Sequence, residues 1–320
     1  MVKMALITGF LGQTRDRFHV YNREIDFETK IRMTSELEGY SGVEIVYPYE
    51  TSLPEQTLSI LERYGISVAA VNVNIKAEPE FRDGGLTAAD GHVRARAISM
   101  IKEAKDFAEK IRADKVTCCP LADGYEFVFQ YDYALAWKRL VESIGEAASY
   151  NRRIPLFIEY KPSETRGHCY IDNAAKTLLL LRDIGMAEIG VTLDFGHSIY
   201  GLENPAEAVT LLESSPYPYY VHINDNDGRW DWDYFCCTKH YLEYIEFLFY
   251  LKKYGYDDFM TSDTMPTRWD IRGTFEANSK ITQRIWAALD SKEFRELMNT
   301  LTSDDYLGTW DRIREIFFKV

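Results

Sequence analysis

Short, almost wholly apolar runs alternate along the chain with longer segments whose apolar residues recur at helical spacing. Runs that are apolar on both faces are typical of parallel strands covered by helices. The pattern predicts eight strands, over residues 4–10, 42–48, 66–75, 115–120, 154–162, 188–197, 218–225 and 258–266. Eight strands that alternate with helices favour a closed (β/α)8 TIM barrel, an α/β fold, over an open sheet.

Sequence signals start helices between these runs and give no sign of a linker. Asn204 followed by Pro205 predicts an N-cap with proline at the first helical position, and Ser52, two residues before a proline, predicts a similar start. No stretch rich in Pro, Gly and Ser interrupts the pattern, so we expect a single barrel domain over residues 1–320. Residues 291–320 follow the eighth helix and are predicted to form a C-terminal helical extension.

Charge and cysteine usage narrow the classes of partner. The chain has 320 residues, with 37 Lys and Arg against 50 Asp and Glu, for a net charge of −13. This charge argues against a nucleic-acid partner, because phosphate backbones require clustered Lys and Arg. No apolar run reaches the roughly 18 residues of a membrane span, and the N-terminus lacks a secretory cleavage site. Adjacent cysteines such as Cys118 and Cys119 are poor disulfide partners, so we expect reduced thiols and a cytoplasmic protein.

Acidic and histidine residues stand where the last four predicted strands end. The fifth strand ends in Glu159, the sixth in Asp194 followed by His197, the seventh in His222, and the eighth in Asp263. The carboxyl ends of barrel strands converge on one axis, so these side chains are expected to meet. Three carboxylates and one imidazole suit Mn²⁺, Mg²⁺ or Co²⁺ better than a structural zinc site. The alternative for each residue alone is a satisfied core histidine or a helix cap.

Further polar residues follow the same strand ends and are candidates for binding a substrate. The candidates are Lys161, Glu164 and Arg166 after the fifth strand, Asn224, Asp227 and Arg229 after the seventh, and Arg268 and Trp269 after the eighth. The alternative for the residues after the fifth strand is an ordinary ion pair, and the alternative for those after the seventh strand is a turn. Weaker candidates on earlier strands are Glu44, Asn72 and Asn74.

The order of these residues resembles that of the xylose-isomerase-like TIM-barrel superfamily, which comprises sugar isomerases, 3-epimerases and a DNA-repair endonuclease branch. The resemblance spans roughly residues 4–290 and implies that Glu159, Asp194, His222 and Asp263 are the metal ligands. In the 3-epimerases the strand-five and strand-eight ligands are both Glu and serve as the acid/base pair. Asp263 is one methylene shorter, which departs from that pattern.

Three stretches, EYKPSETRG, HINDNDGRWDWDYF and SDTMPTRWDIRGTFEAN, look like the catalytic α subunits of bacterial C-glycoside deglycosidases. That resemblance implies a lyase that binds Mn²⁺ and pairs with a small β subunit in a hetero-oligomer. Its substrate would be a 3-oxo-glycoside, cleaved by C2 deprotonation and elimination at C1. The alternative is a metal-dependent ketose 3-epimerase or aldose–ketose isomerase acting on a free sugar, and a non-catalytic sugar-binding barrel is a weaker third.

All the enzymatic alternatives remove a proton from a carbon next to a carbonyl, which requires a base and stabilisation of the developing charge. We expect Glu159 to be the base, with His197 and Asp263 as further candidates, and His197 or His240 to protonate a leaving group. A flat slot for an aromatic aglycone is expected among Tyr125, Phe127, Trp230, Trp232 and Trp269. Two points stay open: whether residues 241–256 form a buried helix or a subunit interface, and whether residues 77–92 close as a lid.

Overall fold

Eight parallel strands close into a barrel, which confirms the predicted fold class. The computed structural model of the chain describes residues 2–301 and 304–318, without the side chains of residues 298–300. Each strand pairs with its neighbours in chain order, and the first strand closes the ring by pairing with the second and the eighth. The strands are β1 (Met4–Ile7), β2 (Tyr40–Tyr47), β3 (Ser67–Val73), β4 (Val116–Cys118), β5 (Leu156–Glu159), β6 (Ile189–Asp194), β7 (Tyr219–Ile223) and β8 (Met260–Ser262).

Helices connect the barrel strands and continue beyond the last one. Among the described residues they are α1 (Phe27–Ser35), α2 (Pro54–Tyr64), α3 (Gly91–Lys110), α4 (Tyr133–Ser149), α5 (Ala174–Ile184), α6 (Phe195–Tyr200), α7 (Pro205–Glu213), α8 (Tyr241–Lys253), α9 (Ile271–Ala288), α10 (Lys292–Thr300) and α11 (Tyr306–Phe317). Two short antiparallel ribbons lie in the loops, one of Thr14–Arg15 with Val20–Tyr21 and one of Gly124–Tyr125 with His168–Cys169. None of the described helices is long and apolar enough to cross a membrane.

The sixth strand ends three residues earlier than predicted, because a helix begins there. Asp194 is both the last residue of β6 and the N-cap of α6, and its Oδ1 accepts a hydrogen bond from the backbone N–H of His197 at 2.8 Å. Capping side chains of this kind satisfy a free N–H group at the start of a helix. His197 therefore lies in the first turn of α6 instead of at the end of a strand.

The two helix starts read from the sequence have different outcomes. The start at Asn204 is confirmed, since its Oδ1 accepts from the backbone N–H groups of Ala206 at 2.8 Å and Glu207 at 3.1 Å. The cap at Ser52 is wrong: α2 follows Leu53, and no side chain caps it. Proline at the first helical position favours the start of α2 without a cap, because proline has no backbone N–H group that would need a hydrogen-bond partner there.

Alternation along the strands puts an apolar layer below the polar strand ends. Ala5, Ala69, Ala70, Phe157 and Tyr220 form a buried cluster that is separate from the main core. By the two-residue period of a strand, Phe157 shares its face with Glu159, and Tyr220 shares its face with His222. The interior of the barrel is thus filled by side chains below the level at which the acidic residues begin.

The predicted C-terminal extension is helical, as α10 and α11 show, and residues 302–303 and 319–320 of it lie outside the described part. It covers the apolar segment whose role the sequence left open. Phe249 of α8 is buried and its ring lies 5.1 Å from that of Phe294 in α10. Within this chain, therefore, α8 is a buried helix that packs against the extension.

The segment 77–92 is fastened to the loop after β4. Phe81 and Leu86 within it are fully buried. The carboxylate of Asp123 accepts hydrogen bonds from the backbone N–H of Leu86 at 3.2 Å and of Thr87 at 2.7 Å. These bonds hold the middle of the segment, so it is not arranged as a freely hinged lid.

Gly190 of β6 offers a test of the packing inside the barrel. A Cβ at this position would lie 2.6 Å from a ring carbon of Phe157 and 2.7 Å from the carbonyl oxygen of Pro218. Since backbone cannot yield easily, we predict that Gly190→Ala lowers the free energy of unfolding by about 1–3 kcal/mol. Urea denaturation followed by circular dichroism measures this change.

Gly145→Ala is the matched control, because Gly145 lies inside α4 and a Cβ there would make only an ordinary 3.6 Å contact with Ile184. Alanine is the better helix former, so this variant should be unchanged or stabilised by up to about 1 kcal/mol. Equal stability of Gly190→Ala and the wild type would contradict the description of the barrel interior.

Candidate functional site

Four side chains from consecutive strand ends meet at one end of the barrel. Glu159 and Asp194 are the last residues of β5 and β6, His222 belongs to β7, and Asp263 follows β8 directly. One ligand atom from each residue lies within 4.8 Å of the others. The side chains of Glu159, Asp194 and His222 are at most 4% exposed, and that of Asp263 is 15% exposed. The sequence predicted this convergence of the four residues; their role as ligands stays a prediction.

His222 presents one nitrogen to this cluster. Its Nδ1 lies 3.4 Å from Glu159 Oε1 and 3.4 Å from Asp263 Oδ2, and it has no hydrogen-bond partner among the described residues. The other nitrogen, Nε2, is bonded to Glu44 Oε2 at 2.9 Å. A fully buried polar atom without a partner is costly, so the free nitrogen points to a group that the protein alone does not supply.

The carboxylates of the cluster are not fully neutralised by the positively charged side chains around them. Burial, followed by the repulsion of neighbouring carboxylates, raises the pKa of Asp194 to about 7 and raises the pKa of Asp233 as well. Burial likewise raises the pKa of Asp263. A divalent cation among these oxygens would remove that penalty, and three carboxylates with one imidazole are a donor set that Mn²⁺ and Mg²⁺ accept. The residues present therefore fit a divalent metal ion.

Glu159 differs from the other acids because it faces two imidazoles. Burial alone would raise the pKa of its carboxyl, but His222 and then His197 outweigh burial and hold that pKa at about 2. A carboxyl group with this pKa is ionised at neutral pH. The surroundings thus lower the pKa of Glu159, whereas they raise the pKa values of Asp194 and Asp263.

His197 is engaged at both ring nitrogens. Its Nδ1 lies 2.9 Å from the carbonyl oxygen of Tyr160, and its Nε2 lies 3.2 Å from Asp231 Oδ2. Burial opposes protonation, but the charges of Asp194 and Asp231 raise the pKa of His197 to about 9. Because a carbonyl and a carboxylate both accept, His197 donates on both sides and offers no free lone pair. This geometry does not suit the predicted role of His197 as a base.

Asp231 and Asp233 were missed by the sequence analysis. Asp231 Oδ2 lies 2.9 Å from Lys161 Nζ, and its Oδ1 has no partner among the described residues. Ligand atoms of Asp194, His197 and Asp231 also lie within 4.8 Å of one another, which makes a second acidic group beside the first. The signal in the sequence was the repeated Trp-Asp of residues 230–233, which is also typical of a polar loop.

Asp231 and Asp233, together with Glu159 and Asp263 of the first cluster, border a cavity of about 360 Å³, whereas Asp194 and His222 do not line it. Its polar wall consists of Asn72, Asn74, Lys76, Glu159, Lys161, His197, Asp231, Asp233 and Asp263, together with Thr14 and Arg15 of the first ribbon. Its apolar wall includes Ile7, Phe10, Leu121 and Met265. A concave site with a few converging polar groups is the usual form of a small-molecule site, and this one is of monosaccharide scale.

Asn224 lies beside the cluster and holds one of its acids. Its amide Nδ2 donates to Asp194 Oδ2 at 3.0 Å and Oδ1 at 3.2 Å. A Cβ at Gly196 would come within 2.3 Å of Asn224 Oδ1, so the absence of a side chain at position 196 leaves the space that the amide occupies. Asn224 is not among the residues that line the cavity, and it orients Asp194 instead of facing a ligand.

Several predicted substrate residues lie away from the cavity. Asp227 accepts from the backbone N–H of Arg229 at 3.1 Å and from Trp232 Nε1 at 3.0 Å, which is the turn chemistry expected of this stretch. Arg229 is exposed, and so are Arg268 and Trp269. None of Asp227, Arg229, Arg268 and Trp269 lines the 360 Å³ cavity.

A second cavity of about 560 Å³ adjoins the first and shares Lys76 and Leu121 with it. Glu164 and Arg166 line this second cavity, but they do not pair with each other. Glu164 Oε1 accepts from Lys161 Nζ at 2.8 Å, whereas Arg166 donates to Glu126 Oε2 at 2.7 Å. Of the predicted aromatic slot, Tyr125 lines this cavity, and Phe127, Trp230, Trp232 and Trp269 do not.

His240, a predicted proton donor, also lies outside the site cavity. Its Nδ1 is bonded to Asp225 Oδ1 at 2.8 Å, and the same carboxylate accepts from the backbone N–H of Lys239 at 2.7 Å. Asp225 is fully buried and ties the start of α8 to the end of β7. His240 therefore fixes the loop that carries Asp231 and Asp233.

Structural comparison gives neighbours with the same barrel. A structure of L-ribulose 3-epimerase superposes with a TM-score of 0.73 at 15% identity and covers 94% of this chain and 98% of that one. A D-tagatose 3-epimerase-like protein gives 0.67 at 20% identity, with 93% and 98% covered. A 3-keto-D-glucoside 4-epimerase from E. coli gives 0.67 at 15% identity, with 90% and 100% covered. At these identities the likeness shows the fold alone.

Sequence comparison gives the family. The xylose isomerases of Thermus caldophilus and Thermus thermophilus are 27% and 26% identical over 154 residues, which are 47% of this chain and 40% of each relative. The match therefore spans well under half the length of these curated relatives. The model of the family described as "Xylose isomerase-like TIM barrel" matches residues 31–283. The chain belongs to the xylose isomerase-like TIM barrel family.

Proposed function

We propose that this protein is a divalent-metal-dependent enzyme that moves a proton at a carbon next to the carbonyl of a sugar, with 3-epimerisation or aldose–ketose isomerisation as the net reaction. The observation that carries this proposal is the meeting of Glu159, Asp194, His222 and Asp263 within 4.8 Å at the strand ends. The names of the structural neighbours, which are sugar 3- and 4-epimerases, support the same class of reaction.

The metal would be held by those four residues, with Mn²⁺ as the proposed ion and Mg²⁺ or Co²⁺ as alternatives. When bound, a divalent ion acts as a Lewis acid that stabilises negative charge on a sugar oxygen. The apolar wall of the cavity, which includes Phe10 and Met265, excludes water from the sugar and strengthens these interactions.

Glu159 and Asp263 are the proposed acid/base pair. Each carboxylate lies 3.4 Å from the same nitrogen of His222, and each borders the cavity from a different strand end. Epimerisation needs one group to take a proton and another to return one to the opposite face of the carbon. Two carboxylates on separate strands supply this, although Asp263 is shorter than the Glu typical of 3-epimerases.

Lys161 is proposed to bind a sugar oxygen. Its ammonium group is held between Glu164 at 2.8 Å and Asp231 at 2.9 Å, and it borders the cavity beside Glu159. His197 in turn fixes Asp231 at 3.2 Å. These contacts keep a positive charge in one place, which favours precise orientation of a bound sugar.

A second candidate, cleavage of a 3-oxo-glycoside by elimination, starts with the same proton removal. The adjoining 560 Å³ cavity favours it, because that space offers room for a group attached to the sugar. Tyr125 and Tyr131 line that cavity and provide flat ring faces for an aglycone. The pairing with a small β subunit and the cytoplasmic location belong to this proposal and rest on the sequence resemblance and the cysteine usage.

Removal of one ligand tests the metal site. We predict that Asp194→Asn weakens Mn²⁺ binding at least tenfold, because the amide loses the charge that the ion neutralises. Isothermal titration calorimetry of the metal-free protein measures the dissociation constant. Asp227→Asn is the control, since Asp227 is a carboxylate of the loop after β7 that does not line the cavity. Equal affinities of wild type and Asp194→Asn would refute the assignment.

Glu159→Gln tests the base. The amide oxygen is still able to act as a ligand but cannot take a proton, so proton exchange should fall by about 10²–10⁴-fold. The rate is measured by NMR as deuterium uptake from D₂O at the carbon next to the carbonyl of a reactive sugar. Glu126→Gln, at the rim of the second cavity, should keep the wild-type rate. A Glu159→Gln protein that binds metal and exchanges at full rate would exclude Glu159 as the base.

A substrate panel separates the two candidate functions. The Mn²⁺-loaded protein is incubated with free ketoses and with a 3-oxo-C-glucoside, each with and without a candidate β subunit, and the products are identified by mass spectrometry and NMR. We predict epimerised or isomerised sugar that disappears when a chelator removes the metal. Aglycone release from the glucoside, with no change in the ketoses, would replace the first proposal by the second.

A further inference from the structure

Glu44 is a fully buried carboxylate that the proposed reaction does not use. It lies in the middle of β2 and has no exposed surface. Its Oε1 accepts hydrogen bonds from Thr117 Oγ1 at 2.6 Å and from Asn72 Nδ2 at 2.9 Å. Its Oε2 is bonded to His222 Nε2 at 2.9 Å. The four residues stand on β2, β3, β4 and β7, so the network links four strands of the barrel and includes one proposed metal ligand, His222.

The network determines which nitrogen of His222 carries a hydrogen. A neutral imidazole has one N–H and one lone pair, and a metal ligand must present the lone pair. A carboxylate only accepts, so the contact with Glu44 requires the hydrogen on Nε2. In the neutral form of His222, the form that can bind a metal, Nδ1 is then left with its lone pair, 3.4 Å from Glu159 and from Asp263, and no described residue bonds to it.

The other two contacts of Glu44 fix the direction of its carboxylate. Thr117 and Asn72 together occupy Oε1, and Thr117 is itself fully buried. Only Oε2 is left to face His222. The carboxylate therefore cannot turn away without leaving the buried Thr117 hydroxyl and the half-buried Asn72 amide without this acceptor.

We propose that Glu44 is a positioning residue: it fixes the tautomer and the ring orientation of His222 so that Nδ1 binds the metal, and it thereby tightens metal binding. The inference rests on the proposed metal site. It adds a residue on a distant strand, β2, to the four ligands on β5 to β8. Carboxylates that accept from a ligating histidine commonly contribute 10–100-fold in metal affinity.

Glu44→Gln is the principal test, because it keeps the shape and removes the charge. The expected result is a dissociation constant for Mn²⁺ that is 10–100-fold weaker by calorimetry, while circular dichroism and the melting temperature show a folded protein. Glu50→Gln is the matched control. Glu50 is a largely buried glutamate that follows the same strand; it pairs with Lys30 and accepts hydrogen bonds from Thr8 and from the backbone N–H of Val46, and none of its hydrogen bonds reaches a side chain of the network. This control should bind Mn²⁺ as the wild type does.

The tautomer is read directly by NMR of protein labelled with ¹⁵N in its histidines and loaded with diamagnetic Mg²⁺ or Zn²⁺. The wild type should show His222 with a hydrogen on Nε2 and the metal on Nδ1. A hydrogen on Nδ1 in the metal-loaded wild type would overturn the inference. In Glu44→Gln the Nε2 signal of His222 should shift, because its hydrogen loses the carboxylate partner; identical signals together with wild-type Mn²⁺ affinity would overturn the inference.

Thr117→Val serves if Glu44→Gln does not fold. It removes one of the two donors that orient the carboxylate and should weaken Mn²⁺ binding by a smaller factor than the loss of Glu44. Wild-type affinity in each of the two variants that folds would overturn the inference and leave the metal site standing. A wild-type protein that binds no divalent ion would instead overturn the proposed function itself.

Discussion

The burial of several carboxylates at one end of a closed barrel is the constraint on which the rest of the site depends. Asp194 has no exposed surface, and Glu159 and Asp231 have almost none. Buried negative charges that face one another are costly unless cations or hydrogen bonds meet them. Lys161 and His197 both contact the carboxylate of Asp231. The pKa values of Asp194 and Asp263 stay raised, and these two acids cluster with His222, whose Nδ1 has no hydrogen-bond partner among the described residues.

The surrounding residues follow from this constraint. Asn224 bonds both oxygens of Asp194, and Gly196 leaves the space that the amide needs. Asp225 ties the loop after β7 to the start of α8 through His240 and several backbone N–H groups. That loop then presents Asp231 and Asp233 to the cavity. The polar residues around the site thus act mostly on other protein groups, and fewer of them face the ligand than their sequence positions suggest.

The architecture and the four-residue cluster were accessible from the sequence because both follow from strand periodicity. Apolar runs mark the barrel strands, and the residues at the carboxyl ends of neighbouring strands converge around the barrel axis. The loops were less accessible, because a loop side chain is directed by tertiary contacts. Arg268 and Trp269 are exposed, and the ring of Trp269 packs against Tyr234 and Phe235, whereas Asp231 in a similarly polar stretch contacts Lys161 and His197. Glu44 was only a weak candidate because its partner His222 lies 178 residues away in the chain.

The most direct test of the account is an anomalous difference map from crystals of the protein soaked in Mn²⁺, recorded near the manganese absorption edge. The account predicts one strong peak within coordination distance of Glu159, Asp194, His222 Nδ1 and Asp263, with Glu44 still bonded to Nε2 of the same histidine. A map with no peak at the strand ends would contradict the central claim. A peak coordinated by Nε2 of His222 would keep the metal and refute the role given to Glu44.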